Sequence, residues 1–332
     1  MASNFYSFIE QLSIQKKKIS FNDLNIKIVN DDELVVRLEN IFFSNFGYKK
    51  NIVEGNIFGK KFEAKLENNF QFIEFKLLNS GITTNLDLNK KTKKGTFKSK
   101  ILNTNLKFDF EYDSKSLKIF NSFFRNRNLS FDNETSITIT PFLEIETNFE
   151  LEELNSEILK KINFDKLLEL KSIIKKINSK NTIIYKSKKF SNSIVNDLNL
   201  KVDLAHGRLN YEKDFLIEKN FFKCKGDLNL LEEYPLLYFN CSIAIKDKKR
   251  LLKKLSLNIK KSSDEVLELK VKGNLNILNK KVNFEQILLN EKEFPKEDLK
   301  FFKNSFENIL FNKSFLEIFE IKKIRNYILE II

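Results

Sequence analysis

The residues able to do chemistry are few. His206 is the only histidine, Cys224 and Cys241 are the only cysteines, and tryptophan is absent from the 332 residues. A lone imidazole with no second histidine and no paired-cysteine motif supplies no metal site, and its neighbours Ala205, Gly207 and Arg208 place it in a turn. Gly55 and Gly59 are isolated, and Gly59-Lys60-Lys61 lacks the remainder of a phosphate-cradling loop. Glu232 and Glu233 are adjacent carboxylates in a stretch that reads as a turn, where solvation explains them better than acid–base work. The inventory argues against an enzyme, a metal and a bound cofactor.

The cysteines belong to a pattern that explains more. Leu198, Leu200, Val202 and Leu204 alternate with polar residues; so do Phe222, Cys224, Gly226, Leu228 and Leu230, and again Leu237, Phe239, Cys241, Ile243 and Ile245. Strand side chains point to opposite faces in turn, so each run has one apolar and one polar face. Such runs predict an antiparallel sheet covered on one side. Apolar positions are even-numbered in the second run and odd-numbered in the third. A two- or four-residue loop centred on Glu232 and Glu233 therefore sets Leu228 against Leu237, Gly226 against Phe239 and Cys224 against Cys241, because a one-residue slip would turn every apolar side chain to water. Opposed strand residues have Cβ atoms about 4.5–5.5 Å apart, which makes a disulfide feasible without demanding one. Two buried thiols acting as small hydrophobes fit the same pattern. Ala205-His206-Gly207-Arg208 reads as a tight turn opposing Leu204 and Leu209.

The same grammar runs upstream. Residues 1–149 read as an antiparallel meander in which Leu106, Phe108, Phe110 and Tyr112 turn at Asp113-Ser114-Lys115-Ser116 into Leu117 and Ile119. Over 150–180 the spacing changes to threes and fours, with Leu151, Leu154, Ile158 and Ile162, then Leu167, Leu170, Ile174 and Ile177, predicting an inserted helical segment. A second antiparallel meander, continuing the same sheet, occupies 181–290. Pro295 opens a C-terminal helical region over 291–332, whose apolar last residues read as a truncated boundary. The expected fold is mainly β with α: a long, curled, groove-like antiparallel sheet with a helical insertion and a helical end.

The net charge of +13 suits an anionic partner, yet the lysines are spread through nearly every strand and turn, and part of the excess matches low-GC coding bias. A solvated basic surface, attraction to a membrane and nucleic-acid binding all remain open on charge alone; no RNA-binding signature stands out. No run approaches the ~20 apolar residues of a membrane span, and Met1-Ala2-Ser3-Asn4 opens no secretory signal. So many one-faced strands must hide their apolar side against a second sheet, under helices, or against a ligand held in an open trough.

Leu204-Ala205-His206-Gly207-Arg208-Leu209-Asn210-Tyr211, followed by Lys225-Gly226-Asp227-Leu228-Asn229-Leu230 and Pro235-Leu236-Leu237-Tyr238-Phe239, resembles the AsmA-like proteins of Gram-negative bacteria, in which G-x-L and P-x-L-x-F steps recur. Gly55-Asn56-Ile57-Phe58 with Phe62-Glu63-Ala64-Lys65-Leu66, and Gly95-Thr96-Phe97, are similar to upstream steps of that family. The resemblance spans roughly Ile19 to Leu289 through degenerate motifs. It implies a bridge-like lipid transfer protein of the cell envelope, periplasmic and associated with the inner membrane, that moves phospholipid towards the outer membrane and supports its assembly. The anchor helix usual in that family is not visible in this chain.

The expectation that follows is a non-enzymatic protein whose sheet shelters phospholipid acyl chains, with a membrane surface and envelope proteins as partners and nucleic acid not among them. The residues expected to line the groove are Phe108, Phe110, Leu200, Val202, Leu204, Phe222, Leu228, Leu237, Phe239 and Ile243. The alternative is a structural or interaction β-module with a closed core and no lipid.

Overall fold

A computed structural model describes residues 18–30, 33–68, 71–127, 129–140, 142–154, 171–187, 194–257, 266–311 and 320–331. The chain divides into two compact units, Met1–Arg127 and Asn128–Ile332.

The described part of the first unit consists of nine strands: β1 (Ser20–Asn30), β2 (Glu33–Ser44), β3 (Ile52–Ile57), β4 (Lys60–Glu67), β5 (Phe72–Leu77), β6 (Ile82–Asn89), β7 (Lys94–Ile101), β8 (Thr104–Tyr112) and β9 (Ser116–Arg125). Each pairs antiparallel with the next in sequence. The alternating pattern sets the register because every apolar residue must meet another on the same face. Phe97 opposes Phe108, and Phe110 opposes Ile119 across the expected turn. That turn is held by Asp113, whose carboxylate accepts the backbone N–H groups of Lys115 and Ser116, both at 2.7 Å.

The second unit holds β10 (Leu129–Thr138), β11 (Glu144–Leu154), the short helix α1 (Lys171–Ile174), β12 (Asn178–Lys186), β13 (Asp197–Ala205), β14 (Arg208–Ile217), β15 (Asn220–Asn229), β16 (Leu236–Ile245), helix α2 (Lys248–Lys254), β17 (Leu267–Asn276), β18 (Lys281–Leu289), the two-residue β19 (Lys292–Glu293), α3 (Lys296–Leu310) and α4 (Ile321–Ile331). The expected hairpins are present: Leu204 opposes Leu209, and Leu228 opposes Leu237. His206 and Gly207 both have positive φ, +50° and +82°, the backbone that a two-residue hairpin turn requires.

Three expectations need correction. Leu151 and Leu154 belong to strand β11 rather than to a helix, so the change of period at 150 comes several residues too early. Only Lys171–Ile174 is helical among the described residues of the insertion; Ile158, Ile162, Leu167 and Leu170 lie outside them. The meander is also not uniformly antiparallel, since β11 and β12 run parallel, with Ile145 beside Ser179 and Leu151 beside Tyr185. Parallel neighbours need a long crossover, and the segment between Leu154 and Asn178 supplies it. Finally, the connection between β15 and β16 runs from Asn229 to Leu236, longer than the two or four residues expected, although its centre and parity are as predicted.

Glycines mark close approaches within the strands. Gly55 opposes Phe62, Gly95 opposes Phe110, Gly226 opposes Tyr211 and Gly273 opposes Phe239. At each, a Cβ would run into the ring of that opposed aromatic, 2.9 Å away for Phe62, Tyr211 and Phe239. An aromatic lying over a strand glycine covers the exposed backbone and permits bending.

Two clusters of buried side chains hold the second unit. One joins Leu228, Leu230, Leu275, Ile277 and Val282 on the sheet to Ile174 of α1 and to Phe311 beyond α3. The other joins Ile217 to Leu251, Leu252, Leu255 and Leu257 in and after α2, with Ile328 of α4 packed against it. Side-chain hydrogen bonds pin the helices over their ends of the sheet. Glu307 of α3 accepts the Val282 backbone N–H at 3.0 Å, and the Lys171 ammonium donates to the Glu232 carbonyl at 2.8 Å.

Candidate functional site

The groups that could do chemistry are dispersed. His206 is exposed in its turn, and its backbone N–H donates to Asn178 Oδ1 at 3.2 Å. Glu232 accepts from Asn229 at 3.0 Å, and Glu233 is exposed beside it. Among the described residues no group of three or more His, Cys, Asp or Glu side chains is arranged to hold a metal ion. Cys224 and Cys241 face each other across β15 and β16 with Cα atoms 4.1 Å apart and are joined by a disulfide.

The apolar face is the extended feature. In the first unit Phe108 is half-buried, stacked on Phe97 at 4.8 Å between centroids, and meets Phe110 edge-on at 6.1 Å. Phe110 is only 8% exposed, tucked over Gly95, so it backs the face rather than opening onto it. The described residues of this unit include no helix, and most apolar side chains of β5 to β9 remain partly accessible.

In the second unit the eight other expected groove residues separate into three sets. Leu204, Leu228, Leu237 and Phe239 form or pack against the cluster beneath α1 and α3, and Leu228 is 3% exposed. Phe222 stacks on Phe215 at 4.5 Å and packs against the cluster beneath α2 and α4. Leu200, Val202 and Ile243 belong to neither cluster and stay half-buried, Leu200 and Val202 in the middle of β13 and Ile243 near the end of β16. The helices thus cover the two ends of the face, and a half-buried apolar stripe crosses β13 to β17 between them.

Lys213, which sequence reasoning missed, sits in this stripe. On β14 the apolar register runs Leu209, Tyr211, Lys213, Phe215, and Lys213 lies between Leu200 and Cys224 on the neighbouring strands. Its ammonium rests 5.2 Å from the Phe215 ring centroid, and burial pushes its pKa below the ordinary lysine value. The signal in the sequence was a charge at an odd position of an otherwise apolar odd series. Tyr211, on the same face, has its phenol pushed up to about 12 by burial and by the charge of Asp227.

The opposite, polar face carries a cleft of about 450 Å³, walled mainly by Lys201, Asp203, Glu212, Lys225, Asp227 and Lys272; of the expected groove residues only Phe239 borders it. Its charges are of both signs. Elsewhere on the strands lysines pair with carboxylates, as Lys76 with Glu74 at 3.0 Å and Lys180 with Glu144 at 3.3 Å.

No described helix is long and apolar enough to cross a membrane. No family model matches the chain, and none of the curated proteins is similar to it. The fold and site define a mainly-β protein whose open sheet is antiparallel except between β11 and β12, with a one-sided apolar face and a single disulfide.

Proposed function

We propose that this is a non-enzymatic carrier of acyl chains, of the AsmA-like, bridge-like type, whose sheet shelters phospholipid tails for transport through the cell envelope. The observation that carries the reading is the part of the apolar face that no described helix seals, namely the half-buried Leu200, Val202 and Ile243 and the partly accessible Phe108. Burying a methylene against such a surface is worth about 0.8 kcal/mol, so a tail laid along it offsets much of the cost of leaving a membrane. Successive strands offer chemically similar side chains, so neighbouring positions of a tail are close in energy and sliding is easy. No catalytic residue, metal or cofactor takes part.

Native mass spectrometry and solvent extraction of the purified protein test this directly. Co-purifying phospholipid, and crosslinks to lipid from a photo-reactive residue at Val202, are the expected results. A protein free of lipid, with no crosslink at Val202 or Phe239, sinks the proposal.

The second reading is a closed β-module without lipid, and the two helix-covered ends of the face favour it. It expects the same crosslinker to react only with protein.

A further inference from the structure

The stripe contains one charge, and its surroundings say what that charge is for. Seven strands place Ile183, Leu200, Lys213, Cys224, Cys241, Val271 and Ile287 in a single transverse row, each opposite the next. Lys213 is the only ionisable side chain in that row now that both cysteines are bonded to each other. Its sequence neighbours Glu212 and Asp214 point to the other face, because strand side chains alternate. Among the described residues its ammonium has no carboxylate partner; the Phe215 ring is what it touches. A lysine held half-buried on an apolar face without a counter-ion costs stability, and an arriving anion would remove that cost.

We propose that Lys213 is the head-group anchor of the apolar stripe, binding the single negative charge, carboxylate or phosphate, of an acyl amphiphile whose tail lies across β15 to β17. The proposal rests on the acyl-carrier reading above and adds the ligand's polarity and orientation to it. From Lys213 the row passes Cys224 and Cys241 to Val271, roughly 14 Å at about 4.8 Å per strand, all of it without charge. A tail entering in that direction meets apolar side chains while its head stays at the ammonium. The Phe215 ring beneath Lys213 keeps the ammonium in place before the anion arrives.

The experiment titrates the full chain, its Lys213→Met variant and its Lys213→Arg variant with oleate, dodecyl phosphate, oleyl alcohol and acetate. The wild type is expected to bind oleate or dodecyl phosphate at least tenfold more tightly than oleyl alcohol, and acetate not measurably. Lys213→Met should lose that preference while keeping its affinity for the alcohol, and Lys213→Arg should retain most of it. The two anionic amphiphiles distinguish a carboxylate head from a phosphate head. Equal oleate affinity in wild type and Lys213→Met, or equal affinity of the wild type for acid and alcohol, overturns the anchor and leaves the carrier reading standing. Tight acetate binding assigns Lys213 to small anions and overturns the amphiphile. Failure to bind any of the tailed probes removes the carrier reading as well. A measurement on the native side chain guards against a misfolded variant: after reductive ¹³C-methylation, the Lys213 resonance should shift and titrate at higher pH when oleate is added, and an unchanged resonance overturns the anchor.

Discussion

At the scale of residues, polar side chains in unusual places do the positioning. Asn220 is fully buried: it donates to the Ile217 carbonyl at 3.1 Å and the Asp247 carbonyl at 3.2 Å, and it accepts the Asp247 backbone N–H at 2.9 Å. It therefore fixes the start of α2 against the β14–β15 hairpin. Asn220→Ala should destabilise the protein by about 2 kcal/mol, because buried partners are left unpaired, and a urea melt reads that loss. Gly226 lies so close to the Tyr238 carbonyl that a methyl group cannot fit without moving backbone. Gly226→Ala should cost about 1–3 kcal/mol in the same assay. Asp132 behaves oppositely: partial burial, and then the charges of Glu152 and Glu150, raise its pKa. A carboxyl whose folded pKa is raised favours the folded state as pH falls through that value and opposes it above. Asp132→Asn is therefore expected to raise the melting temperature at pH 7 and to have no effect once Asp132 is protonated in acid.

At the scale of elements, the hairpins were legible because two constraints coincide in them. The period-two pattern decides the face, and parity across a turn decides the register, so the pairs Leu204–Leu209, Leu228–Leu237 and Cys224–Cys241 follow without tertiary information. The disulfide that this register permits closes a loop of sequence separation 17. Its reduction should cost about 3 kcal/mol by the loop-entropy relation, seen as a lower urea midpoint after treatment with a thiol. The parallel pairing of β11 with β12 was not legible. Leu151 and Leu154 are three apart, which fits a helix and not an unbroken strand; a register shift opposite Ser130 and Phe131 lets both lie in β11, and no local pattern sets Leu151 beside Tyr185.

At the scale of the whole molecule, the division of the apolar face into sealed and half-buried parts decides where an acyl chain would lie in the second unit on the proposed reading. Photo-reactive residues at Leu200 and Val202 should label added phospholipid, whereas one at Leu228, 3% exposed beneath its helices, should label protein alone. Lipid-labelling at Leu228 equal to that at Val202 would mean that the helices over that end are displaced by the ligand. Exposed ion pairs such as Lys76–Glu74 and Lys180–Glu144 contribute little to stability.

Facing and register in the hairpins were determined by the sequence itself, because alternation and turn chemistry are local and act over a handful of neighbours, whereas the end of β11 at Leu151 and Leu154 was not. Burial was not local. Whether Leu228 is sealed and Val202 left half-buried depends on where α1, α2, α3 and α4 come to rest, and the clusters they close also join residues far apart in sequence, such as Leu228 with Phe311 and Ile217 with Ile328. The same dependence hid Lys213. A lysine in a strand reads as a solvated face until the neighbouring strands place it between Leu200 and Cys224, with its own carboxylate neighbours turned to the other side.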